Sequence, residues 1–159
     1  MHCLGVTAMY LASKYEDIFP LHSKIVSEKI AHNAIAAKDI LKKEVEFLQL
    51  FEYEMDFVTH WDFHQTYVDK LEKLMGKGHC ADPNSLLTKV SEMAMFLIKM
   101  SIQNVDFCKH SPSIVVLSSL YASTSFLKHS KNLQSKETTK FCDEVRKIIV
   151  QMLNEERKE

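Results

Sequence analysis

The sequence predicts an all-α fold, on three observations. Apolar residues recur at helical spacing in one segment after another, and no segment alternates with a period of two residues. The 159 residues include only three Gly and three Pro, too few for a turn-rich all-β chain. A chain of this length makes one domain or two small ones and can bury a proper core. Its 46% hydrophobic and 26% charged residues exclude a disordered chain.

The first helix is expected from about Leu4 to Tyr15. Leu4, Val6, Ala8, Met9, Tyr10, Leu11 and Ala12 leave it without a polar face, as in a helix surrounded by others. Phe19-Pro20 closes it. A short second helix is expected from Ser23 to His32, with Ile25, Val26 and Ile30 inward and Asn33 at its end. A third runs from Ala37 to about Tyr53, with Ile40, Leu41, Val45, Phe47, Leu48, Phe51 and Met55 as its stripe. Thr59 is the expected N-cap of a fourth, with Asp62 completing a partial capping box. Its stripe is Phe63, Tyr67, Leu71 and Leu74, with Trp61 and Val68 beside it.

Met75 to Asn84 reads as a loop, since MGKGHCADPN holds two of the three Gly and a Pro. A fifth helix follows, with Leu87, Val90, Met93, Ala94, Leu97 and Met100 inward. Ser111-Pro112 is a helix start, N-cap and then Pro at the first position. The helix it opens, Ile114 to Leu127, is apolar almost all round but broken by small residues. Lys128 to Lys136 is polar. A last amphipathic helix carries Phe141, Val145, Ile148, Ile149, Met152 and Leu153. MYLASKY in the first half and LYASTSF in the second form an internal echo. Two helical repeats, each packed around a central helix, would produce it, with a junction near Phe57 to Thr59. The expected domains are residues 1–57 and 58–159.

Charge and motifs narrow the function. Twenty Lys and Arg stand against 21 Asp and Glu, a net charge of −1. That balance argues against a nucleic-acid binder held by a large basic surface and gives no reason to expect a membrane partner. No apolar run nears the roughly 18 residues of a spanning helix, and the N-terminal stretch lacks the basic region of a signal peptide. The Cys at 3, 80, 108 and 142 form no CxxC pair and suit a reducing, intracellular setting as buried small hydrophobes. His60 and His64 lie four apart on a predicted helix, but without HExxH order or a third ligand they read as a surface helix. Met93, Met95 and Met100 read as core. The GKG at 76–78 lacks P-loop spacing. Catalytic, cofactor-binding and metal residues are all expected to be absent, as is a small-molecule substrate.

Two charges stand in apolar places. On a helical wheel at about 100° per residue, Glu44 falls inside the arc of Leu41, Val45, Phe47, Leu48, Phe51 and Met55. Lys14 follows Tyr10 and Leu11 by one turn and precedes Ile18 by another. A lone charge in such a stripe is costly unless paired or hydrogen-bonded. Three readings fit: the side chains reach outward to solvent, they pair internally, or they face a partner inside an apolar ring.

The string LGVTAMYLASKYEDIFP, residues 4–20, closely resembles the central helix of the cyclin box in A- and B-type mitotic cyclins. DILKKEVEFLQLFEYEMDF, residues 39–57, resembles the last helix of the same repeat. Residues 59–63 are similar to the entry into the second repeat, and residues 91–123 to its SLAMFL…PS stretch. The match runs through most of the chain in the family's order. It implies a two-repeat cyclin-box fold whose first repeat begins at its central helix. It also implies a regulatory subunit, not an enzyme, that binds and activates a cyclin-dependent Ser/Thr kinase in cell-cycle control, in nucleus and cytoplasm. By the resemblance, the kinase-binding residues are Lys14, Tyr15, Glu44, Leu48, Tyr53 and Met55: Lys14 and Glu44 bond to the segment leading into the kinase αC helix, Tyr15 is the aromatic after the Lys, and Leu48, Tyr53 and Met55 are apolar contacts.

The family's first two helices and N-terminal tail, with its degradation signal and substrate-recruiting patch, have no counterpart here, so a fragment is expected. Val58 replaces the usual Pro before Thr59, and Asp17 replaces a Glu. The second repeat is short between Lys128 and Thr138, where the family's fourth helix is expected to be reduced or absent. The alternatives are a cyclin-fold transcription factor of the IIB type, which needs a basic face, and an inactive cyclin fragment.

Overall fold

A computed structural model of the chain describes residues 2–75, 85–130 and 135–156. Among them every regular element is helical, so the all-α expectation holds. The chain divides into two compact units, Met1–Phe57 and Val58–Glu159.

The first unit is built on α1 (His2–Glu16), α2 (Ser23–Ile25) and α3 (Ala37–Leu50). α1 packs on α3, and its core joins Val6 and Tyr10 to Val26, Ala31 and Ile40. The other face of α1 stays open: Leu4, Gly5, Ala8, Met9 and Ala12 are exposed, and a Cβ placed on Gly5 would meet nothing within 4 Å. The second predicted helix is only α for three residues. It continues as a π turn over Val26–Ile30, closed by the Ala31 N–H on the Val26 carbonyl at 2.8 Å. The wider turn rotates the buried face: Val26 and Ser27 go inward, while Ile25, expected inward, is exposed. Ser27 Oγ donates to the Ile35 carbonyl at 2.6 Å. His32 and Asn33 then take positive φ, a conformation Asn tolerates.

α3 stops three residues before the expected Tyr53. Its end is a Schellman motif, with the Tyr53 N–H on the Leu48 carbonyl at 2.8 Å and the Glu52 N–H on the Gln49 carbonyl at 3.1 Å. Glu52 and Tyr53 hold φ of 54° and 65° without a Gly. The predicted stripe is only partly core. Ile40 is buried, Phe47, Leu48 and Met55 are half-buried, and Leu41, Val45 and Phe51 are exposed. The arc is wider than the surface that α1 and the α2 segment cover.

The second unit holds α4 (His60–Met75), α5 (Leu86–Ile102), a 3₁₀ turn (Val105–Lys109), α6 (Pro112–His129) and α7 (Lys136–Glu156). α6 is its axis, packed on α4, α5 and α7. Val116, Leu117 and Leu120 of α6 meet Leu71 of α4, Leu87, Val90, Ala94 and Ile98 of α5, and Val145 and Ile149 of α7. The small residues in α6 let these neighbours approach. Ser119 and Ser123 are buried and satisfy their hydroxyls on the carbonyls one turn back, of Val115 and Ser119. Tyr67 Oη donates to Glu156 at 2.5 Å. Arg146 Nε donates to Thr124 Oγ1 at 2.7 Å, and its guanidinium lies 5.1 Å over the Tyr121 ring.

The start signals mostly hold. Thr59 and Asp62 form the expected capping box: the Thr59 N–H donates to Asp62 Oδ2 at 2.7 Å, and the Asp62 N–H meets Thr59 Oγ1 at 3.4 Å. Ser111 precedes Pro112 as expected, but its hydroxyl pairs with that of Ser113 and caps nothing. Several inward assignments fail: Trp61 and Leu74, near the ends of α4, and Met100, near the end of α5, are exposed, and Met93, Met95 and Leu97 in the middle of α5 are only half-buried. Cys142 is buried as expected, whereas Cys108 on the 3₁₀ turn is exposed. The predicted loop after Met75 (76–84), Cys80 and most of the short stretch before α7 (131–134) lie outside the described residues.

Candidate partner-binding site

Lys14 closes the last turn of α1, and Glu44 sits midway along α3. Packing of α1 on α3 brings them together: Lys14 Nζ donates to Glu44 Oε1 at 2.6 Å. Of the three readings open in the sequence, internal pairing is thus the one formed. The pair is asymmetric, with the Lys14 side chain 45% exposed and that of Glu44 8%. The hydrogen bond to Glu44 raises the Lys14 amine above its ordinary value, against a smaller opposing effect of burial. The ammonium also lies 5.4 Å over the Tyr10 ring.

The pair is not sealed. An ammonium has three donors, and Lys14 spends one on Glu44. Glu44 keeps a second carboxylate oxygen. Leu41 and Leu48 sit one turn to either side of Glu44 on α3, the first exposed and the second half-buried, and the exposed Val45 adjoins it in sequence. The arrangement offers an N–H donor and an oxygen acceptor within an apolar rim, which suits a polar backbone segment approaching from outside.

The other expected contact residues are spread along the same elements. Tyr15 follows Lys14 and is exposed. Tyr53 is exposed and aimed by its positive φ, and Met55 is half-buried. Neither hydrogen bonds nor ring contacts join these to the Lys14–Glu44 pair among the described residues.

Sequence reasoning missed the loop beside Lys14. Ser13 Oγ donates to Asp17 Oδ2 at 2.6 Å and accepts the Leu21 N–H at 2.9 Å. These bonds pin residues 17–21, so that Ile18 and Phe19 stand 90% exposed. The available signal was a Ser four residues before an Asp at a helix end. His64 was misplaced too: it is buried, not on a surface face. Among the described residues no group of three or more His, Cys, Asp or Glu could hold a metal ion, and no helix is long and apolar enough to cross a membrane.

Two family models match the chain. The one described as "Cyclin, N-terminal domain" covers residues 1–56, and the one described as "Cyclin, C-terminal domain" covers 58–156. Similar relatives include a "G2/mitotic-specific cyclin-2" of Medicago sativa, 30% identical over 122 residues, which are 76% of this chain and 33% of the relative. "Cyclin-B1-1" of Arabidopsis thaliana is 27% identical over 80% of this chain and 27% of its own length. "Cyclin-A2-4" of the same plant is 25% identical over 83% of this chain and 27% of its own. The chain thus spans about a third or less of the length of these relatives.

Proposed function

The chain belongs to the cyclin family and has its all-α cyclin-box fold, and from that premise we propose that it is a regulatory subunit that binds and activates a cyclin-dependent Ser/Thr kinase. The observation that carries this reading is the half-open Lys14–Glu44 pair. The two free ammonium donors and the free carboxylate oxygen engage the backbone leading into the kinase αC helix. Leu48, Met55, Tyr15 and Tyr53 supply apolar contact around them.

The chain performs no chemistry itself. It turns the αC helix so that the kinase's own Lys–Glu ion pair forms. This is differential binding: moving a kinase from 1% to 99% active takes about 5.5 kcal/mol of preference for the active state. A packed helical scaffold suits the task, because a yielding surface would waste that preference. The reading assigns the chain to the nucleus and cytoplasm and to cell-cycle control. The balanced charge, −1 over 159 residues, favours it over a nucleic-acid-binding relative of the fold.

A pull-down of a cyclin-dependent kinase tests it, with the natural chain beside Lys14→Ala/Glu44→Ala. Kinase retained by the first and lost by the second supports the reading. If neither chain retains kinase while an N-terminally extended one does, this chain is an inactive fragment. If the double variant retains kinase like the natural chain, the assigned site is wrong.

A further inference from the structure

The second unit contains a buried titratable group with no role in kinase binding. His64 lies on the inner face of α4, next to the core residues Tyr67 and Val68, and is 3% exposed. Its Nε2 is 3.2 Å from both the carbonyl and the hydroxyl oxygen of Ser91 on α5. Its Nδ1 is buried with no hydrogen-bond partner. The exposed Trp61 ring lies roughly parallel to it, at 6.1 Å between centroids.

Ser91 provides for one ring nitrogen only. With hydrogen on Nε2, the ring donates to the Ser91 carbonyl and leaves the Nδ1 lone pair bare. With hydrogen on Nδ1, Nε2 accepts from the Ser91 hydroxyl and the Nδ1 hydrogen meets no acceptor. The imidazolium needs an acceptor at both nitrogens and compensation for a buried charge. The surroundings supply an acceptor at Nε2 only, and among the described residues no carboxylate pairs with the ring. On α4, Asp62 is committed to Thr59 and His60 lies a turn away. On α5, Glu92 is the one ionisable side chain that lines the same pocket with His64, Gln65, Ser91 and Met95, and it is exposed. On α6, Tyr121 is under Arg146 and Lys128 is paired with Asp143. On α7, Glu156 and Glu155 are bonded further along α4, at Tyr67 and Lys70.

We propose that His64 is an acid-sensitive latch between α4 and α5: uptake of one proton drives the ring out of its seat between Trp61 and Ser91 and loosens α4 from the second unit. Burial pushes the imidazole below its ordinary value of 6.5, and the bond to Ser91 offsets this only in part. The unfolded chain therefore takes the proton first as pH falls. The full stability is present above about pH 6.5. It drains away below that, and levels off only under the lowered folded-state value.

Hydrogen exchange on the full chain at pH 7.5 and 5.5, corrected for intrinsic rates, reads the latch directly. We expect α4 and the first half of α5 to lose protection by up to about tenfold per pH unit below 6.5, while the α6–α7 contact changes less. His64→Phe keeps the stacking and removes the titration, and should flatten the change. An equal loss of protection in the variant overturns the latch. Should the variant fail to fold, a nitrogen-15 titration of the natural chain decides: His64 titrating below 6.5 together with broadening of α4 supports the proposal, and titration at or above 6.5 overturns it.

Discussion

Lys14 Nζ and Glu44 Oε1 meet at 2.6 Å between residues thirty positions apart in the chain. Because half the lysine side chain lies in water, the pair itself contributes about 1 kcal/mol or less to folding. Its partners are not equivalent, however. Lys14→Ala leaves a buried carboxylate unpaired and should cost about 1–3 kcal/mol, whereas Lys14→Ala/Glu44→Ala should cost less than the single variant. Denaturant titrations of the two check the ordering. It shows whether loss of kinase in the double variant reflects lost contact or lost fold.

Ser13 anchors the loop after α1 by two bonds. Ser13→Ala frees the Asp17 carboxylate and the Leu21 N–H. We expect faster amide exchange over residues 17–21, a stability loss of about 1 kcal/mol, and weaker kinase retention with α1 and α3 intact.

Glu52 holds the left-handed position of the Schellman motif. Glycine carries no steric penalty there, though it raises the entropy of the unfolded chain. Glu52→Gly should therefore stabilise the first unit by up to about 1 kcal/mol, read as a higher unfolding midpoint. It should leave kinase retention unchanged.

The capping box at Thr59 and Asp62 gives a further test. Its hydrogen bonds to Thr59 hold the Asp62 carboxyl below its ordinary value of 3.8. A lowered acid stabilises the fold above its unfolded-state value, and the effect is lost as pH falls through the folded-state value. Thr59→Ala should lower the midpoint of the second unit by a few degrees at neutral pH. The difference from the natural chain should shrink below about pH 3.8.

What the sequence made legible was local chemistry. Thr59-x-x-Asp62 marks a helix start because capping depends on residues a turn apart, and Ser111-Pro112 marks another because the proline ring suits the first helical position. Glu44 and Lys14 stood out because a charge in an apolar arc needs a partner. The partner itself was not decidable, because pairing depends on how α1 meets α3. The π turn at Val26–Ile30 left no trace either, since Val, Ser, Glu, Lys and Ile all fit an α-helix. Periodicity places Leu41, Val45 and Met100 on inward stripes, but it reports a face and not how much of it a neighbour covers. The early end of α3 was hidden because Glu52 occupies a position where Gly would have announced it.

The pinned loop after α1 has a last consequence, for handling by proteases. Ile18 and Phe19 stand 90% exposed, and an exposed loop tip is the usual place for a chain to be nicked. Yet the bond after Phe19 leads into Pro20, whose ring has no N–H and a fixed φ, and so defeats enzymes that cleave after aromatic residues. With Ser13 holding both sides of the tip, the chain displays a large aromatic side chain while withholding the scissile bond beside it.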